Sequence, residues 1–145
     1  MARELPSSCL MRFQNIAMND NMNDIVIMAS DPIPNKMPTD VRNYFAERKT
    51  EKDLADAYAI SHNKFWWVED DVYDYEEGTP EYEAARVIVD EWGALMDEYE
   101  ERIFVILRSE GIEIPKTGRI KILEPFMKRN GYRDGNGWWI KDKDS

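Results

Sequence analysis

The chain of 145 residues contains a single cysteine, Cys9, and a single histidine, His62. One cysteine excludes an internal disulfide, and one residue of each type excludes the Cys/His ligand set of a zinc site. No apolar run is long enough to cross a bilayer, and charges and amides interrupt the first twenty residues, unlike a signal peptide. These absences predict a cytoplasmic protein that makes no contact with a membrane.

Catalytic and metal-binding motifs are also missing. The chain has no glycine-rich phosphate loop, no G-x-S-x-G and no H-E-x-x-H. His62 lies in "AISHNKFWW" without a candidate nucleophile beside it, which is more typical of a structural or surface histidine than of a general base. "DDVYDYEEG" and "DGNG" lack the ligand spacing of a calcium loop. We therefore predict a protein that is not an enzyme and binds no metal and no cofactor.

Basic residues are almost absent from one segment. "EDDVYDYEEGTPEYE", residues 69–83, contains eight carboxylates and no base. Residues 69–101 contain 14 acidic side chains and one basic side chain, a net charge of −13, whereas residues 1–68 carry −1 and residues 102–145 carry +4. A run of one charge sign is often a disordered tail. This one also contains Trp, Tyr, Val and Ile, so we expect it to be folded.

The order of elements predicts a mainly α (α+β) fold. Residues 1–38 read as an irregular, partly disordered segment with a short strand in "DIVIMAS", and residues 39–145 as a single helical domain. Thr39 is the predicted cap of a first helix. Thr50 and Asp53 form the capping signature of a second helix, which we expect to end at Gly78.

Thr79 and Pro80 are suited to begin a third helix, which runs to about Glu110 and ends at Gly111. Residues 50–110 are thus predicted to form a long antiparallel helical hairpin that is acidic. Residues 112–145 form a basic tail, with a helix in "GRIKILEPFMKRNGY" and a β-hairpin in "YRDGNGWWIK". Helix followed by hairpin makes this tail winged-helix-like.

The third helix places its carboxylates opposite its apolar face. Glu83, Asp90 and Asp97 recur every seven residues, about 10.5 Å apart along the axis, on the side away from Trp92. A solvated face would explain them, but such faces usually mix charge signs in i, i+4 pairs. The alternative is a surface that mimics nucleic acid and binds a basic nucleic-acid-binding protein, a nuclease or a regulator. The predicted contacts are Glu69, Asp70, Asp71, Asp74, Glu83, Asp90, Asp97 and Glu101.

Three alternatives remain open at this point. The basic tail has the composition to contact DNA, as in an accessory or regulatory factor, or to dock on the acidic hairpin and reduce its self-repulsion. The third is a homodimer through the helical hairpin. The basic residues concerned are Arg119, Lys121, Lys128, Arg129 and Arg133.

The run "EGTPEYEAARVIVDEWGALMDEYEERIF", followed by "IPKTGRIKILEPFMKRNGYRDGNGWWI", resembles uncharacterised small acidic proteins carried by bacterial mobile elements and phages. The resemblance covers residues 50–141 and contains no catalytic motif, so no functional residue is carried over from it. It implies an inhibitor of a host defence nuclease, such as an anti-CRISPR protein, in the cytoplasm of the bacterial host.

Overall fold

Two long helices joined by a short connection form the centre of the computed structural model, which describes residues 37–142. The predictions made for residues 1–36, including the strand in "DIVIMAS" and the place of Cys9, lie outside this range. The described part is mainly helical with a small antiparallel sheet at its end, as the sequence predicted. Its elements are α1 (Pro38–Phe45), α2 (Glu51–Val72), α3 (Pro80–Ser109), α4 (Arg119–Arg129), β1 (Tyr132–Gly135) and β2 (Trp138–Lys141).

Helix α2 begins as predicted and ends earlier than predicted. The Thr50 hydroxyl accepts a hydrogen bond from the Asp53 N–H at 3.0 Å, and the Asp53 carboxylate accepts one from the Thr50 N–H at 3.2 Å. The helix ends at Val72, six residues before Gly78. Its last turn contains carboxylates and no basic residue, and negative charge at this end opposes the helix dipole. Gly78, with φ 88°, lies in the connecting turn.

Helix α3 has both predicted ends. The Thr79 hydroxyl accepts a hydrogen bond from the Tyr82 N–H at 3.2 Å, and Pro80 lies in the first turn of the helix. At the other end Gly111 adopts φ 84°, and the Ile112 N–H donates to the Leu107 carbonyl at 3.0 Å. This is the glycine-terminated ending that the sequence predicted. With 30 residues against 22 in α2, α3 is roughly 12 Å longer.

The core lies between α2, α3 and the tail. Trp92, Leu95 and Tyr99 of the predicted apolar stripe are buried in it. Gly93 permits close packing of the two helices, because a Cβ at this position would lie 3.0 Å from the Phe65 ring. The same cluster includes residues from both halves of the tail: Leu123, Phe126, Met127, Tyr132 and Trp139. The tail is therefore part of one domain with the helical hairpin.

The start of α1 differs from its prediction. The helix begins at Pro38, so Thr39 lies inside it rather than capping it. The Asp40 carboxylate caps the helix instead, because it accepts a hydrogen bond from the Met37 N–H at 3.0 Å. Val41 and Phe45 of this helix are buried in the core, which holds α1 against the hairpin.

The β-hairpin closes through a tight turn at Asn136 and Gly137, whose φ values are 56° and 91°. Two successive positive φ values match the type I′ turn that favours Asn-Gly in two-residue hairpins. Strand β2 is attached to α2 by Asn63, which is 1% exposed. Its side-chain amide donates to the Trp139 carbonyl at 2.9 Å and accepts from the Trp139 N–H at 3.0 Å. A side chain of α2 thus takes the place of a third strand.

Substitution Asn63→Ala should destabilise the fold by about 3 kcal/mol, because it leaves two buried backbone groups of Trp139 without partners. The matched control is Asn43→Ala, an exposed asparagine of α1, for which we expect a change within about 0.5 kcal/mol. Urea denaturation followed by tryptophan fluorescence measures both. Equal stability of the two variants would mean that the attachment of β2 does not depend on Asn63.

Candidate functional site

The basic tail contacts carboxylates at the open end of the helical hairpin. Arg129 lies 2.7 Å from a carboxylate oxygen of Glu51 and 2.8 Å from one of Glu110, so it joins the start of α2 to the end of α3. Arg119 lies 3.3 Å from Glu101. Of the two roles left open for the tail, these pairs support docking on the acidic helices.

The pKa values of this cluster follow from its geometry. Hydrogen bonds that Arg129 donates to the carboxylates of Glu110 and Glu51 raise the pKa of Arg129 above its usual value. The hydrogen bond from Arg129 lowers the pKa of the Glu51 carboxyl, and partial burial opposes this effect. Elsewhere at this end, the Asp56 carboxylate lies 3.3 Å from the Lys141 ammonium group and accepts a hydrogen bond from the Tyr132 hydroxyl. The open end of the hairpin is therefore close to charge balance.

The closed end of the hairpin is rich in carboxylates and poor in basic residues within the described part of the chain. Its carboxylates come from the last turn of α2, the connection and the first turn of α3, and they include four of the eight residues singled out from the sequence. We call this surface the acidic tip; its members are Glu69, Asp70, Asp74, Glu76, Glu77, Glu81 and Glu83. The one basic residue within residues 69–101 is Arg86, which lies 3.7 Å from Asp90.

Helix stability explains only part of the acidic tip. Glu81 and Glu83 lie in the first turn of α3, where negative charge interacts favourably with the helix dipole. Glu69 and Asp70 lie at the end of α2, where the same charge is unfavourable. Selection for stability alone would not concentrate carboxylates at that end, which favours an interaction role for them.

The predicted contact residues do not all share one surface. Glu83, Asp90 and Asp97 are exposed along the outer face of α3. Asp71 is only 5% exposed, so it is not part of the contact surface for which it was predicted. Its place on α2 explains the error: Asp71 follows Trp67 by one turn, and both face inward. Glu101 is exposed, but its carboxylate contacts Arg119.

Beside the acidic tip, the end of α2 and the β-hairpin enclose a groove of about 830 Å³. We call it the aromatic groove. One wall is a stripe that follows α2 and ends at its C-cap residue, at positions i, i+4, i+7, i+8 and i+11; the β-hairpin, with Ile120 of α4, forms the other wall. The stripe consists of His62, Trp66, Glu69, Asp70 and Tyr73, and the hairpin contributes Asp134, Trp138 and Trp139.

The sequence contains two tryptophan pairs, Trp66-Trp67 and Trp138-Trp139, and each has one member inside and one nearer the surface. Trp67 is buried, with the Lys64 ammonium 4.7 Å from its ring, whereas Trp66 is 47% exposed. Trp139 is buried and Trp138 is half-buried. The sequence did not predict that the two outer members line one groove with Tyr73. The helical spacing of the stripe was a detectable signal, but its hairpin partner lies more than sixty residues away.

His62 is a largely buried residue that lines this groove. It is 9% exposed, and its Nδ1 lies 3.1 Å from the Asn63 side-chain oxygen. Because that oxygen also accepts from the Trp139 N–H, the imidazole must donate through Nδ1. Burial lowers the pKa of His62, although the Asn63 hydrogen bond and the charge of Asp134 oppose this effect. The ring is therefore neutral near pH 7, with its lone pair on Nε2.

In residues 37–142, no group of three or more His, Cys, Asp or Glu side chains is arranged to hold a metal ion. No helix in this described range has the length and apolar character needed to span a membrane. Comparison with protein family models, curated proteins and solved structures finds no match to the chain. The acidic tip and the aromatic groove are therefore the features of the molecule that indicate a function.

Replacing Arg129 by alanine should lower the free energy of unfolding by about 1 kcal/mol, since the pairs with Glu51 and Glu110 are partly exposed. The loss should shrink between about 0.1 M and about 1 M NaCl, because salt screens exposed charges. Lys121→Ala, an exposed cation of the same helix, is the control and should change little. A loss that is independent of salt would contradict the electrostatic origin.

The buried, neutral state of His62 predicts a pH dependence of stability. Because the pKa of His62 is lower in the folded chain than its ordinary value of 6.5, the unfolded chain binds a proton at this residue more readily as the pH falls. Lowering the pH from about 7 to about 5.5 should therefore reduce the stability of the wild type relative to His62→Gln, by up to about 1.4 kcal/mol per pH unit. Urea denaturation of both proteins at each pH measures this difference. A constant difference across the range would disprove the assignment.

Proposed function

We propose that this chain is a non-enzymatic protein that binds a basic nucleic-acid-binding protein and occupies the surface which that partner uses for nucleic acid. The observation that carries the proposal is the separation of charge. The long-range ion pairs of the tail lie at the open end of the hairpin, whereas the acidic tip lies at the closed end. A basic partner is attracted to such a surface, and phosphates are repelled by it.

The density of the charges is important for nucleic-acid mimicry. Duplex DNA has one negative charge for about every 1.7 Å of its axis, counting both strands. The row of Glu83, Asp90 and Asp97, with about 10.5 Å between its members, is too sparse to resemble it alone. The acidic tip supplies further carboxylates from α2 and from the connection, so that two helices contribute to one surface. The proposed contact surface is this combined set.

The resemblance of residues 50–141 to small acidic proteins of mobile elements supports a narrower form of the proposal. In that setting, the partner is a host defence effector that binds DNA or RNA, such as a CRISPR nuclease. The place of action is then the cytoplasm of a bacterial host.

The alternatives have less support. A DNA-binding factor would use the winged-helix-like tail, but four of the five basic residues singled out in that tail already face carboxylates. Lys128 lies 2.9 Å from Glu124 and Arg133 lies 3.5 Å from Asp142, in addition to the pairs of Arg119 and Arg129. The apolar stripe of α3 packs in the chain's own core, which removes the main argument for a homodimer through the hairpin.

The test is capture of partners from a bacterial lysate at about 0.1 M and about 1 M NaCl, with and without nuclease treatment. We expect a basic nucleic-acid-binding protein that survives nuclease treatment and is released by salt. The double variant Asp90→Lys/Asp97→Lys should capture it at least about tenfold less, because reversed charges repel a basic surface.

The matched control is Glu47→Lys/Glu113→Lys, which makes the same change in net charge at exposed positions outside the proposed surface. If both double variants capture the partner equally well, the row on α3 is not the interface. If nuclease treatment removes every captured protein, the chain binds nucleic acid instead, and the tail is the working surface.

A further inference from the structure

The aromatic groove shares Glu69 and Asp70 with the acidic tip, but its chemistry differs from that of a purely charged surface. Its walls present aromatic rings to the solvent: Trp66 is 47% exposed and Tyr73 is 78% exposed. Exposed aromatic side chains that are grouped in one groove are typical of a binding site. Trp and Tyr are also the residues most enriched among the energetic centres of interfaces.

The charged groups of the groove have a single sign. Glu69, Asp70 and Asp134 line it, and no lysine or arginine does so in the described part of the chain. Carboxylates exclude an anionic ligand from this position. Aromatic faces attract cations through the negative charge of the ring face, with the strongest effect for tryptophan. The combination favours an organic cation.

His62 adds a hydrogen-bond acceptor to the same cavity. Within residues 37–142, the ring makes its one hydrogen bond through Nδ1, to Asn63. Since Nδ1 donates, Nε2 has the lone pair, on a side chain that is only 9% exposed and lines the groove. A ligand with N–H donors would satisfy this acceptor, and a ligand without them, such as a quaternary ammonium group, would not.

We propose that the aromatic groove binds a guanidinium group, presented by an arginine side chain of the protein partner. This inference rests on the proposed function, because it takes the partner to be a basic protein. A guanidinium is planar and stacks on tryptophan. Its five N–H donors bind carboxylates two at a time, which leaves one donor for a further acceptor. An ammonium group offers the same charge but neither the planar stacking nor the paired donors.

The size of the groove agrees with a protein ligand. A volume of about 830 Å³ exceeds the size of one side chain, so the groove also has room for neighbouring residues of the chain that presents the arginine. The acidic tip then attracts the basic partner over a distance, and the groove holds one arginine in place. Long-range attraction and local anchoring make separate contributions to binding.

The direct test is a titration of the full chain with N-acetylarginine amide, followed by NMR of the tryptophan indole N–H groups. We expect saturable shifts for Trp66 and Trp138. N-acetylcitrulline amide, which has the same shape without the charge, should bind at least about tenfold more weakly. Equal binding of the two probes, or no saturation by the arginine probe, overturns the proposal.

Three variants locate the binding. Trp66→Ala and Glu69→Gln should each weaken the arginine probe about tenfold, whereas Trp66→Phe should recover part of the loss because it restores a ring. Glu113→Gln, an exposed residue outside the groove, is the control. Amide spectra establish that each variant is folded. Unchanged affinity in folded Trp66→Ala places the arginine elsewhere and overturns the proposal.

Partner capture separates this inference from the function on which it rests. If the arginine probe binds in the groove but the wild type captures no basic protein, the proposed function fails and the guanidinium site remains. If a basic partner is captured equally well by the wild type and by Trp66→Ala, the proposed function remains. The groove then does not hold a partner arginine, and any probe binding reports a site for free arginine.

Discussion

The middle of α2 is packed on all sides, and the other elements are arranged around it. Residues 57–64 are all buried, although they include Ser61, His62, Asn63 and Lys64. Small residues in this stretch let α1 and α3 pack closely on one side, while Asn63 replaces a strand for the hairpin on the other. A buried amide that satisfies both backbone groups of Trp139 is stabilising only in one geometry. This requirement fixes how the tail sits on the helices.

The position of the tail determines the distribution of charge. With the hairpin attached to the middle of α2, α4 brings Arg119 and Arg129 to the open end, where Glu51, Glu101 and Glu110 lie. Individually such exposed pairs contribute little to stability. Together they reduce repulsion at one end of a strongly acidic chain and leave the acidic tip at the other. The charge separation is therefore a consequence of how the tail docks.

The same attachment creates the aromatic groove. The fully buried stretch of α2 ends after Lys64, and beyond it the outward stripe of the helix faces the hairpin that Asn63 holds in place. Trp66 and Tyr73 on the helix and Trp138 on the hairpin remain beside carboxylates in a cavity. The lowered pKa of His62, which follows from its burial, keeps its imidazole in the lining of this cavity uncharged near neutral pH. The acidic tip and the aromatic groove are thereby adjacent in the fold.

Local features of the sequence were sufficient to predict most elements. The capping box at Thr50, the Thr79-Pro80 start, the Gly111 ending and the Asn136-Gly137 turn each depend on neighbouring residues, so their outcome follows from local backbone chemistry. The early end of α2 was missed because the repulsion in its last turn outweighs the apolar periodicity that suggested a longer helix. The carboxylate row on α3 was predictable because its members recur with the period of the helix, which also predicted the helix itself.

Tertiary structure decided which carboxylates remain at the surface and which side chains share a site. The burial of Asp71, the pairing of Glu101 with Arg119, and the meeting of Trp66 with Trp138 all join segments far apart in the chain. Their reason is packing: the tail can satisfy Asn63 and bury Trp139 in only one position. Composition and spacing thus determined that the protein is helical and acidic in one segment, and long-range packing determined where that charge is exposed.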